Sequence, residues 1–116
     1  MHELAVTESI LQVVLRHASA GGASKVVSVG LRIGEVSDLA DEWVQRYFDH
    51  LSRGTIAEGA VVRIERSPAM FRCGACGHLF PADPRTREEI CCLLCASEET
   101  ALISGREYLV QQIEVI

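Results

Sequence analysis

Two closely spaced pairs of cysteines constrain the fold of this chain more than any other feature of its sequence. The pairs are Cys73-Gly-Ala-Cys76 and Cys92-Leu-Leu-Cys95, and they form the pattern C-x2-C-x15-C-x2-C. A gap of two residues allows a tight turn that directs two thiolates at one ion, and four thiolates can surround Zn2+ tetrahedrally. The spacing is typical of a zinc site, so we expect Cys73, Cys76, Cys92 and Cys95 to bind one Zn2+.

Other interpretations of these cysteines are weaker. The opening Met-His-Glu lacks the pattern of a signal peptide, and this predicts a reducing compartment. Disulfides or a redox C-x-x-C are therefore disfavoured. Iron would suit the same four sulfurs. Cys91 could replace Cys92 in a shifted register, although the spacing favours Cys92. His78 could also serve as an alternate zinc ligand, but four cysteines already fill the coordination shell. Zinc held by four thiolates has no open position for a substrate, so we expect a structural site and not an enzyme.

Charge and hydropathy argue against nucleic-acid binding and against a membrane-spanning segment. The 116 residues carry a net charge of −5, and Lys25 is the only lysine among eleven cationic residues, which disfavours a generic binder of nucleic acid. No apolar run approaches the ~18 residues that a membrane span needs. Apolar residues make up 48% of the chain but aromatic residues only 5%, so a core must consist mainly of aliphatic side chains.

Periodicity predicts two helices and three strands outside the cysteine-rich segment. Residues 3–20 are expected to form a helix that ends at Gly21-Gly22, and residues 25–35 a strand. A second helix should be capped by Ser37 or Asp38 and end at Gly54. Strands should follow at residues 60–67 and 107–116. The apolar stripe of the first helix comprises Leu4, Ile10, Leu11, Val14, Leu15 and Ala18, and that of the second comprises Trp43, Val44, Tyr47, Phe48 and Leu51.

The cysteine-rich segment separates the last two predicted strands. Residues 70–106 contain all five cysteines and little periodicity, so we do not expect this segment to bury a core by itself. The final strand needs a sheet partner, which the first part of the chain can offer. The predicted fold is therefore α+β: a small sheet of about three strands with two helices, formed by residues 1–69 and 107–116, with a zinc-ribbon-like four-cysteine module at residues 70–106 inserted into it.

The second residue offers a different metal chemistry. A lone histidine is usually a surface or packing residue, but the Met1 amine, the His2 amide nitrogen and the His2 imidazole can chelate one ion through small fused rings. The Glu3 amide is a possible fourth donor. Such a square-planar set of nitrogens suits Ni2+ or Cu2+.

Four features together make the sequence resemble the HypA/HybF family of hydrogenase nickel-incorporation proteins. They are the opening Met1-His2-Glu3, the Ile33-Gly34-Glu35 at the end of the first strand, the paired C-x2-C module, and the closing segment 105–115, Gly-Arg-Glu-Tyr-Leu-Val-Gln-Gln-Ile-Glu-Val. The resemblance extends over the whole chain in the family's order. One difference is that the family's second pair commonly begins Cys-Pro, whereas here Leu93 follows Cys92.

The resemblance implies a small cytoplasmic metallochaperone that helps to insert nickel into the large subunit of [NiFe] hydrogenase together with the GTPase HypB. It implies that His2 is the nickel ligand, with Met1 and Glu3 in the same motif, and that the two cysteine pairs hold structural zinc. It also implies a small α/β nickel domain with an inserted zinc domain. We expect a monomer or a weak dimer.

Two competing hypotheses belong to other classes. A zinc-ribbon module for nucleic-acid or protein interaction has some support from five arginines, but the net charge and the scarcity of aromatic side chains oppose it. An enzyme that uses a thiol or zinc-bound water lacks any Cys-His-Asp arrangement or three-ligand zinc motif. The five arginines are Arg63, Arg66, Arg72, Arg85 and Arg87.

Overall fold

The computed structural model describes residues 2–86 and 89–116, so Met1 and Arg87 lie outside the described residues. Two helices and six strands occur in the described part of the chain. Their order is α1 (Glu3–Ala20), β1 (Val26–Gly34), α2 (Asp41–Leu51), β2 (Val61–Ser67), β3 (Met70–Cys73), β4 (Leu79–Pro81), β5 (Thr100–Ser104) and β6 (Tyr108–Val115).

The strands form two three-stranded sheets. The first has the order β2-β1-β6, so the chain leaves this sheet after β2 and returns to it with the last strand. The second has the order β4-β3-β5. Two helices, a small three-stranded sheet and a separate four-cysteine module confirm the predicted fold class.

Helix α1 has the predicted bounds and buries most of the predicted stripe. Ile10, Leu11, Val14 and Ala18 are buried, as expected from their helical spacing. Leu4 is an exception because it is 46% exposed near the start of the helix. The buried face of α1 packs against α2, and the core that they share with β1 is aliphatic apart from one aromatic ring, that of Phe48.

Helix α2 differs from its prediction in two respects. The predicted cap at Ser37 or Asp38 is wrong: the helix begins at Asp41, and Ala40 stands at the N-cap without a side-chain hydrogen bond. The predicted apolar face is too wide, since Val44 and Phe48 are the buried residues of the helix while Trp43 is 41% exposed. Trp43 instead packs beside Tyr47, with the Arg46 guanidinium 5.0 Å from its ring centre.

The second sheet was not predicted from periodicity. Strand β3 pairs antiparallel with β4, with Phe71 opposite Phe80, and antiparallel with β5, with Phe71 opposite Leu102. These three side chains lie on one face and pack with buried Ala69 and with Cys73 and Cys92, two of the predicted zinc ligands. A small core is present here, but Ala69 and Val36 from outside residues 70–106 contribute to it, so the segment does not bury this core by itself.

The chain separates into two compact units. One comprises Met1–Arg32, Asp38–Glu65 and Leu109–Ile116, and the other comprises Ile33–Ser37 and Arg66–Tyr108. The predicted domain division at residues 69/70 and 106/107 remains a prediction.

None of the helices in the described residues has the length and hydrophobicity needed to cross a membrane.

Candidate metal centres

Four cysteine sulfurs come together in the second unit. The Sγ atoms of Cys73, Cys76, Cys92 and Cys95 all lie within 4.8 Å of one another. The Sγ atoms of Cys73 and Cys95 are 3.5 Å apart, and those of Cys76 and Cys92 are also 3.5 Å apart. Within the described ranges, this is the one group of three or more histidine, cysteine or acidic side chains that could hold an ion.

The spacing of the sulfurs fits a tetrahedral zinc site. A Zn–S bond of ~2.3 Å places the corners of a tetrahedron about 3.8 Å apart, close to the 3.5 Å that separates the sulfurs of Cys73 and Cys95 and those of Cys76 and Cys92. No disulfide links any of the five cysteines. Cys73 and Cys92 are buried while Cys76 and Cys95 are exposed, so each pair contributes one inner and one outer sulfur.

The two cysteine turns share one hydrogen-bonding pattern. The Cys73 N–H donates to the His78 carbonyl, and the Gly77 N–H donates to the Cys73 carbonyl, both at 2.9 Å. The Cys92 N–H donates to the Ser97 carbonyl, and the Ala96 N–H donates to the Cys92 carbonyl, again both at 2.9 Å. Cys92 therefore occupies the position in the second turn that Cys73 occupies in the first.

Backbone amides lower the pKa of the first cysteine in each turn. The Cys76 N–H and then the Ala75 N–H donate to the Cys73 sulfur at 3.4 Å and lower the pKa of Cys73 to about 6. The Cys95 and Leu94 N–H groups lower the pKa of Cys92 in the same way. Donors that favour the thiolate prepare these sulfurs to bind a cation.

The second cysteine of each turn behaves differently. The Ser97 N–H lowers the pKa of Cys95, but hydrogen bonds among the thiols, first with Cys73, together with desolvation, raise it to about 12. The His78 N–H lowers the pKa of Cys76, but the thiol of Cys92 and desolvation outweigh it and raise that pKa. The metal-free cluster therefore keeps some of its protons, which a bound divalent cation would displace.

Neither alternative zinc ligand joins the cluster. Cys91 is half-buried and lies outside the group of four sulfurs. The His78 ring stacks on Phe80, with ring centres 6.2 Å apart and planes 15° apart, and it also lies outside that group. The structure thus brings together the four cysteines selected by spacing.

The predicted nickel motif lies at the start of α1. His2 is exposed and stands at the N-cap of the helix, where its side chain makes no capping hydrogen bond. Its carbonyl accepts the first helical hydrogen bond, from the Val6 N–H at 3.0 Å. The imidazole therefore does not cap the helix, and the exposure of the residue leaves it accessible to an ion.

Two acidic groups accompany His2. The Glu3 carboxylate accepts a hydrogen bond from the Ala40 N–H at 3.5 Å, and the pKa of Glu3 is lowered, first by its own backbone N–H and also by that of Ala40. Asp38 lies close enough for its carboxylate to interact electrostatically with His2. The sequence indicated Asp38 only as a helix cap, because residues 2 and 38 are distant in the chain.

Comparison with protein families shows a match over nearly the whole chain. Residues 1–115 match the model of the family described as "Hydrogenase/urease nickel incorporation, metallochaperone, hypA". A hydrogenase maturation factor HypA of Dehalococcoides mccartyi is 36% identical over 115 residues, which cover 99% of this chain and 94% of that protein. The protein of the same name from Pyrococcus furiosus is 33% identical over 133 aligned positions, covering 99% of this chain and 96% of the relative.

Solved structures have the same fold. The solution structure of the Ni metallochaperone HypA from Helicobacter pylori matches with a TM-score of 0.72 and 23% identity, over 100% of this chain and 98% of the other. A second solution structure of a HypA protein matches with a TM-score of 0.76, again at 23% identity, over 100% of this chain and 97% of the other.

Proposed function

Because this chain belongs to the HypA family of nickel-incorporation metallochaperones, we propose that it binds Ni2+ as cargo at His2 and delivers it to the large subunit of [NiFe] hydrogenase. The observation that carries this assignment of the cargo site is the exposure of His2 at the start of α1, where its imidazole does not cap the helix and lies near the carboxylate of Asp38. The family match favours this function over a zinc-ribbon module for nucleic-acid or protein interaction.

The nickel donors proposed here are the His2 imidazole and backbone nitrogens of Met1, His2 and Glu3. Nitrogen donors in a plane are typical of square-planar Ni2+ sites. Binding that deprotonates a backbone amide releases protons, so affinity should increase with pH. The carboxylates of Glu3 and Asp38 add negative charge near the imidazole, which favours a cation there.

The four cysteines are proposed to hold Zn2+ with a structural role. The fit of the sulfur spacing to a tetrahedral site supports this choice, and a shell of four thiolates leaves no position for nickel or substrate. We further propose that the protein works in the cytoplasm with the GTPase HypB. A pull-down with HypB in the presence and absence of GTP tests that partner directly.

The test of the cargo site compares His2, at the N-cap of α1, with a histidine inside the same helix. His2→Ala should weaken Ni2+ binding by at least about tenfold in calorimetric titration, since it removes one of three or four donors. It should also abolish the visible absorption of low-spin nickel and leave the zinc content at one per chain. His17→Ala, at an exposed histidine near the other end of the same helix, should bind nickel like the wild type.

A second variant tests the backbone donors without changing a side chain. Extra residues before Met1 turn its amine into an amide, which should also weaken nickel binding. Tight nickel binding and full hydrogenase maturation by His2→Ala would show that the cargo site lies elsewhere.

A further inference from the structure

The turn that holds the second cysteine pair presents an exposed apolar tip. Its two middle residues, Leu93 and Leu94, are 61% and 73% exposed, and Leu94 is the most exposed large apolar residue in the described part of the chain. Cys95 and Ala96 are exposed as well, so four consecutive apolar residues face solvent. We call residues 93–96 the leucine tip. A surface run of this length is typical of a contact site.

The geometry of the turn does not require leucine. The first cysteine turn has the same hydrogen-bonding pattern, yet its two middle residues are Gly74 and Ala75, which are exposed without presenting a large apolar side chain. Leu93 and Leu94 also lie outside the small core around Phe71. The two leucines therefore add exposed apolar surface that neither the turn nor the core needs, and a contact with another molecule would bury it.

Backbone contacts hold the leucine tip in one shape. The Cys92 N–H donates to the Ser97 carbonyl and the Ala96 N–H donates to the Cys92 carbonyl, both at 2.9 Å. The Leu94 N–H donates to the Cys92 sulfur at 3.4 Å. Because the backbone is fixed before any partner binds, binding orders little more than the two leucine side chains, and this small entropy cost favours their use as an anchor.

Acidic side chains flank the leucine tip. Glu89 precedes Cys92 by three residues, and Glu98 and Glu99 directly follow the residue that closes the turn; all three glutamates are exposed. Residues 89–99 contain no lysine or arginine. A bound divalent cation would not reverse this sign, because the charge of four thiolates outweighs it. The leucine tip is thus an apolar centre with a negatively charged rim.

The charge of the rim indicates which kind of surface the leucine tip fits. Carboxylates attract basic side chains, and they disfavour contact with a membrane whose lipids are anionic. Protein interfaces commonly combine an apolar centre with a polar rim. The complementary surface is therefore an apolar pocket on a protein, bordered by lysine or arginine side chains.

We propose that the leucine tip anchors the chain in such a pocket on the protein that receives its nickel. This inference rests on the proposed function, in which the acceptor is the large subunit of [NiFe] hydrogenase. The leucine tip belongs to the second unit and the proposed cargo ligand His2 to the first, so docking and nickel binding use different residues. Loss of one should therefore leave the other intact.

Biolayer interferometry with the immobilised large subunit, purified before nickel insertion, tests the anchor. Leu93→Ser combined with Leu94→Ser should raise the dissociation constant of the zinc-loaded chain by at least about tenfold, because a few central residues carry most of the free energy of an interface. This double-serine protein should keep one zinc per chain and wild-type nickel affinity, which excludes misfolding. Val61→Ser removes a 52% exposed apolar side chain from the first unit and should bind like the wild type.

Charge reversal tests the rim. Glu89→Lys combined with Glu98→Lys should weaken binding to the large subunit by at least about threefold, mainly through slower association, and added salt should weaken binding of the wild type. Equal or stronger binding by this charge-reversed protein would overturn the basic pocket, and the proposal with it.

The remaining outcomes separate the anchor from the proposed function. Wild-type binding by the double-serine protein, or an equal loss in Val61→Ser, would overturn the anchor and leave nickel delivery intact. Reduced binding only to vesicles of phosphatidylcholine and phosphatidylglycerol would overturn it in favour of a membrane surface. A wild type that does not bind the large subunit would overturn both the acceptor and the anchor, whereas wild-type nickel binding by His2→Ala would overturn the cargo site alone.

Discussion

At the scale of single residues, the two cysteine turns show how one geometry is built from different side chains. The fifth position of the first turn is Gly77, with φ +79°, and the equivalent position of the second is Ala96, with φ +63°. Ala96 is the one residue other than glycine with positive φ in the described chain. A left-handed conformation costs an L-residue about 1–2 kcal/mol, so the second turn carries strain that the first avoids.

Replacing Ala96 with glycine should relieve that strain. Glycine adopts positive φ without a steric cost, but it also increases the entropy of the unfolded chain, so the net gain should be about 0.5–1 kcal/mol. Urea unfolding of the zinc-loaded protein measures it. Ala75→Gly, inside the first turn at a residue without positive φ, should not stabilise. Equal effects of the two substitutions would contradict the role assigned to φ.

The adjacent cysteines Cys91 and Cys92 should differ sharply in their effect on metal content. Cys92 is 3% exposed and contributes a sulfur to the cluster, while Cys91 is half-buried outside it. Cys91→Ser should therefore retain one zinc per chain, and Cys92→Ser should lose it. Elemental analysis of the purified proteins measures both. The opposite outcome would mean that the third ligand is one residue earlier.

At the scale of elements, two of the four features that carried the family resemblance meet within the second unit: the segment around Gly34 and the beginning of the closing segment, at Gly105 to Glu107. The Gly34 N–H donates to the Glu107 carbonyl at 2.8 Å, and the Val36 N–H donates to the Gly105 carbonyl at 2.8 Å. A Cβ at Gly34 would overlap the backbone of Gly105, so this approach requires glycine. The motifs around residues 34 and 106 are thus two halves of one packed junction.

The carboxylate of Glu107 links two segments at this junction, residues 105–107 and the end of β2. It accepts hydrogen bonds from the Gly105 N–H at 2.7 Å and from the Ser67 hydroxyl at 3.3 Å. The Gly105 N–H, and then the N–H of Glu107 itself, hold the pKa of Glu107 below its ordinary value. A carboxylate with a lowered pKa stabilises the fold above its unfolded pKa of about 4.3, and this contribution is lost as pH falls through the folded pKa.

Glu107→Gln should therefore lower the melting temperature at pH 7, and its difference from the wild type should shrink as pH falls below about 4. The amide cannot carry the charge that the Gly105 N–H favours. Calorimetry across this pH range measures the difference. Glu8→Gln, on the exposed face of α1, is the control and should track the wild type at every pH. A constant gap between Glu107→Gln and wild type would rule out the charge as its cause.

The elements that sequence predicts are those with sustained periodicity. Helix α1 and strands β1, β2 and β6 each extend over at least seven residues, so the spacing of their apolar residues indicates helix or strand. Strands β3 to β5 have three to five residues each, too few to show alternation, and contacts distant in sequence specify them. Spacing alone identified the four sulfurs, because both turns are local. The proximity of Asp38 to His2 depends on tertiary folding, which no local pattern reports.

At the scale of the whole molecule, the two units rely on different sources of stability. The first has an aliphatic core that includes Ile10, Val14 and Val29, together with the ring of Phe48. The second has a core of a few side chains, in which Phe71 and Phe80 pack beside two of the cysteines of the metal cluster. A core this small gives limited hydrophobic stabilisation, so we expect metal binding to supply much of the free energy that orders the second unit.

Removal of the metal should therefore affect the two units unequally. Structural zinc contributes about 10–16 kcal/mol in small zinc peptides, which exceeds what the second core can replace. After chelation under reducing conditions, hydrogen exchange should accelerate in β3, β4 and β5, while α1 and α2 remain protected. The fluorescence of Trp43, the only tryptophan of the chain, should change little because it lies on α2. Re-addition of Zn2+ should restore protection. Equal loss of protection in α1 and β3 would contradict the prediction, because it would show that the second sheet is stabilised by one cooperative core and not by the metal.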